Sequence, residues 1–189
     1  MSANVAHISL PKPGERVNGD AIVICNGPED RLLLAVIDGL GHGPIAAEAS
    51  SAAVAMLKLA SLEQSVLMLM QSLHGALKGT RGAAATLCLL KGNKLETCAV
   101  GNVQVTCTNT SIPLVLSPGV LGMRVPRYRV CEALLNRGAR LALYSDGISS
   151  RFRAEETRHL APTEACKLTI ERHRKNEDDA TILIADLDG

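Results

Sequence analysis

The chain has 189 residues, 47% of them apolar and 21% charged, with a formal net charge of +1 at pH 7. That balance predicts one globular domain over 1–189, large enough to bury a core without staples. It excludes the basic footprint of a nucleic-acid or anionic-membrane binder. Phe152, Tyr128 and Tyr144 are its only aromatics, so the chain lacks a platform for stacked bases.

In chain order, Val5 to Leu10 reads as a short edge strand before Pro11-Lys12-Pro13-Gly14. Gly19-Asp20 leads into Ala21 to Cys25, a strand by its β-branched content. The turn Asn26-Gly27-Pro28-Glu29-Asp30 separates it from the apolar run Leu32 to Ile37, a buried strand ending at Asp38. An antiparallel hairpin of these two strands brings Asp20, at the start of the first, beside Asp38, at the end of the second. Asp38-Gly39-Leu40-Gly41-His42-Gly43 then turns the chain sharply into a helix with Pro44 in its first turn, over Ile45 to Ala60. Taken alone, Asp38 fits a helix N-cap in a tight turn. A carboxylate on a rigid strand end beside glycines is also half of a site for a hard divalent ion.

Leu62 to Leu77 carries Val66, Leu67, Met70, Leu73 and Leu77 at helical spacing, with Ser61 as its N-cap. Ala84 to Leu90 and Leu95 to Val100 read as strands joined by the hairpin turn Lys91-Gly92-Asn93-Lys94. Gly101-Asn102 interrupts the pattern before the strand Val103 to Cys107. Pro113 to Leu116 and Tyr128 to Leu134 are short strands around a Gly/Pro-rich loop over 117–126. Ala139 to Tyr144 is another buried strand, and Ser145-Asp146-Gly147 after it repeats the sequence of strand, Asp, Gly and helix. Pro162 to Arg174 reads as a helix. A basic, hydrated segment over 172–176 leads to Glu177-Asp178-Asp179 and the last strand, Ala180 to Ala185. Strands in hairpins, with helices grouped apart from them, predict an α+β fold.

The six cysteines show no C-x-x-C spacing and read as small buried thiols of a reducing compartment. With no secretory signal and no apolar run near about 18 residues, the expected location is the cytoplasm, with no membrane partner.

Four acidic points stand at strand edges: Asp20, Asp38, Asp146 and the pair Asp178 and Asp179. Carboxylates that converge repel one another unless cations intervene. Two Mg²⁺ or Mn²⁺ ions suit such oxygen donors, whereas zinc lacks a His/Cys cluster of ligand spacing.

The ordered stretches Gly19-Asp20, Asp38-Gly39-Leu40-Gly41-His42-Gly43, Arg81-Gly82-Ala83-Ala84-Ala85-Thr86, Ser145-Asp146-Gly147 and Asp178-Asp179-Ala180-Thr181 resemble the motifs of the SpoIIE-like bacterial branch of PPM (protein phosphatase 2C-like) metal-dependent phosphatases. The resemblance runs from about Gly19 to the C-terminus. It implies two packed antiparallel sheets flanked by helices on both faces, and a monomeric hydrolase of phosphoserine or phosphothreonine. By resemblance, Asp38 touches both ions and the Gly39 carbonyl touches one. Asp146 and Asp178 hold the first ion, and Asp20 holds the second or its waters. These four aspartates are the catalytic set. His42, Thr86, Ser145 and Asp179 are expected to hold the loop or the ligating carboxylates in orientation. Many eukaryotic members of the wider family have an Asp for a third ion where this chain has Gly101-Asn102, so a third site is not expected. With no sensor region in the chain, the resemblance points to members acting on phosphorylated STAS-domain proteins of the stressosome scaffold. The alternatives are a free anti-anti-sigma factor as substrate, or a catalytically silent binding module of the same fold.

Overall fold

The computed structural model describes residues 2–188, and the side chains of 3–187. The strands are β1 (Ser2–Leu10), β2 (Asp20–Asn26), β3 (Arg31–Gly39), β4 (Ala83–Lys91), β5 (Lys94–Val100), β6 (Gln104–Cys107), β7 (Leu116–Ser117), β8 (Val130–Leu134), β9 (Ala139–Tyr144) and β10 (Ala180–Asp188). The helices are α1 (Gly43–Leu59), α2 (Val66–Ala76) and α3 (Pro162–His173), with a 3₁₀ turn at Ala154–Thr157. One sheet has the order β1-β10-β9-β6; the other runs β2-β3-β4-β5-β7, with β8 also paired to β5.

Alternation along the strands builds three layers of core. On β3, Leu33, Ala35 and Ile37 pack under α1 and α2, while Leu32, Leu34 and Val36 face the other sheet. On β9 and β10, Leu141, Leu143, Leu183 and Ala185 face that same inter-sheet core, and Ala142, Tyr144, Ile182 and Ile184 face outward under α3. Strands covered on both faces read as near-continuous apolar runs, which is why 32–37 and 141–144 show no polar alternation; Arg140, the one charge in β9, is buried against Asp186. Burial of each such Leu or Ile contributes roughly 1.5–3 kcal/mol. The two-sheet sandwich with helices on both outer faces is the architecture the resemblance implies. No helix is long and apolar enough to cross a membrane among the described residues, and all six cysteines are free.

Four local expectations are corrected. The second helix starts at Val66, not Leu62, and its N-cap is Ser65, whose side chain accepts from Met68 N. The carbonyl of Leu62 is taken by the Arg31 guanidinium at 2.8 Å, and Ser61 caps only a turn, accepting from Glu63 N. No helix follows Gly147. The backbone there pairs with the end of α3 instead, through Ser149 N to His173 O and Lys175 N to Gly147 O, both 2.8 Å. The strand expected over 113–116 shrinks to Leu116–Ser117, and it pairs with β5 in parallel, so the larger sheet is not wholly antiparallel. Finally, β1 begins at Ser2 and lies along β10 as an edge strand over its whole length.

Candidate metal centre

One end of the sandwich collects the acidic points because the strands alternate in direction. The β2–β3 register sets Asp20 opposite Asp38. The β9–β10 register pairs Tyr144 with Ile182, so Asp146, just past β9, and Asp178, just before β10, emerge at the same end. Asp38 shares a strand face with Val36 and Leu34, which places its carboxylate at the mouth of the inter-sheet core. Asp38, Asp146 and Asp178 line one cavity of about 300 Å³, together with Leu40, Gly41 and Asn102. Asp20 stands behind Asp38 and does not line that cavity.

The set is electrostatically uncompensated. Burial pushes the Asp38 carboxyl up to about 9, and the charges of Asp20, Asp146, Asp178 and Asp179 push the same way. Burial also raises Asp20, to about 7, against the hydrogen bonds of Ser145 and Thr181 that favour its charge. Asp146 is raised by burial and by Asp178, and relieved in part by Lys175 and Asn102. Among the described residues no three His, Cys, Asp or Glu side chains are gathered closely enough to form a ready-made cage. Like charges that face one cavity repel, and hard cations are what would offset them. The donors fit Mg²⁺ or Mn²⁺: three carboxylates on one cavity, a fourth behind them and no soft ligand.

The shifts fix a pH dependence. Both folded values lie above the ordinary 3.8, so the metal-free fold holds protons that the unfolded chain has released. Stability from these groups is full below about pH 4 and is lost as pH rises through about 7 for Asp20 and about 9 for Asp38. The thermal midpoint of the chelated protein should therefore fall between pH 6 and 9, and excess Mg²⁺ or Mn²⁺ should remove the fall. A chelated midpoint that rises over this range would contradict the placement of these carboxylates.

The surrounding residues divide sharply. Ser145 Oγ donates to Asp20 Oδ2 at 2.6 Å and accepts from Thr181 N at 3.0 Å, so it fixes one Asp20 oxygen. Asp179 is buried and turned away from the cavity. Its two oxygens accept from Lys12 N at 2.7 Å and Gly19 N at 2.8 Å, strapping down the segment that enters β2. His42 Nδ1 pairs with Glu15 Oε1 at 3.0 Å, which tethers the glycine-rich loop to the same segment. Thr86 touches none of the carboxylates; its Oγ1 donates to the Val103 carbonyl at 2.7 Å. Gly39 admits no side chain, because a Cβ there would lie 2.2 Å from the Ala46 carbonyl oxygen of α1.

Two neighbours of the site were given no role there by the sequence. Asn102 Nδ2 donates to Asp146 Oδ2 at 2.6 Å, a neutral donor to one of the acidic points. Lys175 Nζ donates to the Asp146 carbonyl at 2.6 Å. The signal for Asn102 was its glycine-led break between strands; Lys175 lies in a segment read only as hydrated.

The model of the family Stage II sporulation protein E (SpoIIE) matches residues 28–188. Phosphoserine phosphatase RsbX of Bacillus subtilis (strain 168) is 30% identical over 146 residues, covering 74% of this chain and 72% of RsbX. A structure from work on the bacterial stressosome, a modular system adapted to control secondary messenger signalling, matches with TM-score 0.89 at 27% identity, over 98% of this chain and 100% of the other. The crystal structure of RsbX in complex with magnesium matches with TM-score 0.84 at 23% identity, over 98% of this chain and 95% of the other. The ordered acidic motifs, the sandwich that brings them to one end and the extent of these matches agree: the chain belongs to the SpoIIE family of PPM-type (protein phosphatase 2C-like) phosphatases.

Proposed function

We propose that the protein is a cytoplasmic two-metal phosphatase that removes phosphate from serine or threonine of STAS-domain stressosome proteins. The observation that carries the chemistry is the uncompensated carboxylate set at one end of the sandwich, with Asp38 at its centre. Asp38 would help to hold both divalent ions, and the Gly39 carbonyl one of them. Asp146 and Asp178 would complete the first site, and Asp20 would hold the second ion or its waters. Bound there, the ions supply Lewis acidity, lowering a water's pKa toward about 7 and neutralising phosphoryl oxygens.

The chain's own residues hold this arrangement. Asn102 occupies one Asp146 oxygen and leaves the other free. Ser145 and Thr181 hydrogen-bond the Asp20 carboxylate. Asp179 fixes the turn that carries Asp20, and Leu40 and Val120 supply apolar lining to the cavity. A covalent thiol route is disfavoured: burial pushes Cys98 and Cys107 up to about 11 and Cys166 to about 12, so they stay protonated near neutrality. His42 is engaged by Glu15 and is assigned the holding of the loop.

The substrate class is supported by the similarity to RsbX and to the stressosome-associated structure. A phosphorylated STAS scaffold protein and a free phosphorylated anti-anti-sigma factor should be offered at equal concentration with Mn²⁺, and then with excess chelator. Turnover should favour the scaffold in kcat/KM and fall to background on chelation. Equal rates with and without chelator would sink the two-metal mechanism. A preference for the free factor would overturn the substrate alone.

A further inference from the structure

The cleft continues beyond the carboxylates. A second cavity of about 400 Å³ opens beside Asp146 and shares Asn102 and Asp146 with the first. Besides Ser145, which is bonded to Asp20, its remaining polar wall is made of Gln104, Tyr144, Ser150, Arg153 and Lys175. Asp146 is the only acid of that wall, and Asn102 already holds one of its oxygens.

Both cations hydrogen-bond to backbone carbonyls, and Lys175 also offsets part of the Asp146 charge. Arg153 Nη1 donates to the carbonyls of Ser150 and Phe152, each at 2.8 Å. Lys175 Nζ donates to the Asp146 carbonyl at 2.6 Å. Among the described residues neither side chain hydrogen-bonds to a carboxylate, and both have N–H groups to spare. Most paired surface cations are only a solvated face. These are anchored: Phe152, next to Arg153, is fully buried, with its ring edge-on to Tyr144 at 5.3 Å and near His173 at 5.5 Å. The base of the cavity is therefore core. A phosphorylated residue seated at the carboxylate cavity would carry its flanking residues over this second one, since an extended chain advances only about 3.3 Å per residue.

We propose that the cavity lined by Gln104, Tyr144, Ser150, Arg153 and Lys175 is a substrate subsite for an acidic side chain flanking the phosphorylated residue. The assignment rests on the phosphatase reading above. Arg153 offers the planar fork that suits a carboxylate, and Lys175 a point charge beside it. The hydroxyls of Tyr144 and Ser150 add donors. An acidic neighbour of the phosphosite is thus drawn in at the side of the cleft where the chain's charge is positive, although the reacting end is lined by carboxylates. Selection by charge complementarity of this kind fits an enzyme with few aromatic anchors.

The test uses phosphoserine peptides of one sequence, with Glu or Gln at each of the three positions on either side of the phosphoserine. They are assayed with Mn²⁺ for kcat/KM. Glu at one or more positions should raise kcat/KM roughly three- to tenfold over Gln. That ratio should fall to near one in Arg153→Gln and be kept only in part in Arg153→Lys, which keeps the charge but not the fork. It should also shrink at high salt. Because the readout is a ratio within each variant, a loss of folded protein does not imitate it. A wild-type ratio near one at every position overturns the subsite while leaving hydrolysis intact, as does a ratio unchanged in both Arg153→Gln and Lys175→Gln. No turnover of any peptide overturns the phosphatase reading, and the subsite with it.

Discussion

Asp38→Asn is expected to lower metal-dependent phosphatase activity by more than about a hundredfold, since loss of even an outer partner of a metal ligand costs ten- to a hundredfold. Asp38 receives the charges of all the other acidic points and stands at the mouth of the inter-sheet core. No neighbouring side chain can replace its charge there. The same substitution removes the most strongly repelled carboxylate, so the chelated variant should be at least as stable as the chelated parent at pH 9. Activity loss without stability loss separates a functional carboxylate from a structural one. Asp179→Asn should show the reverse pattern, because its two oxygens serve two backbone amides, Lys12 N and Gly19 N. An Asn can serve only one of them, which costs about 1–3 kcal/mol. Activity measurements paired with chemical denaturation distinguish the two. If Asp179→Asn proves the more damaging to activity in folded protein, the assignment of Asp178 as the ligand is wrong.

Gly147→Ala is expected to destabilise the protein by more than about 4 kcal/mol, in the range reserved for severe steric conflict. A Cβ at Gly147 would sit 1.8 Å from the Asp179 carbonyl oxygen and 2.9 Å from Ala180 Cα. These are backbone atoms at the entry to β10, so no side chain can swing aside to make room. The glycine of Ser145-Asp146-Gly147 is required because β10 begins directly against it, and that contact also brings Asp178 to Asp146. Gly75→Ala is the matched control: nothing lies within 4 Å of its added Cβ, and a helical Gly-to-Ala change there should be neutral or stabilising. A Gly147→Ala variant melting within a few degrees of the parent would mean the β9 and β10 ends do not meet this closely.

Much of the site was legible because strand ends are. An apolar run closed by Asp and Gly marks where a buried strand reaches the surface, and hairpin logic alone predicted that Asp20 faces Asp38. The sandwich of two sheets followed from the motif resemblance, and strands buried on both faces confirm why their runs lack alternation. What escaped was set by tertiary partners. Nothing local says that Arg31 would take the Leu62 carbonyl and delay α2, or that the chain after Gly147 would pair with the end of α3 instead of coiling. The parallel β7 depends on two residues meeting β5 across a long loop. Asn102 and Lys175 reach Asp146 from segments distant in sequence, so composition could only describe them as polar.

The most direct test of the central claim is an anomalous-difference map from crystals of the full chain soaked in Mn²⁺. Two peaks roughly 3.5–4 Å apart should appear beside the Asp38 carboxylate, one of them also against Asp146 and Asp178, the other on the Asp20 side. An empty cavity at saturating Mn²⁺, or peaks that leave Asp38 untouched, would contradict the account.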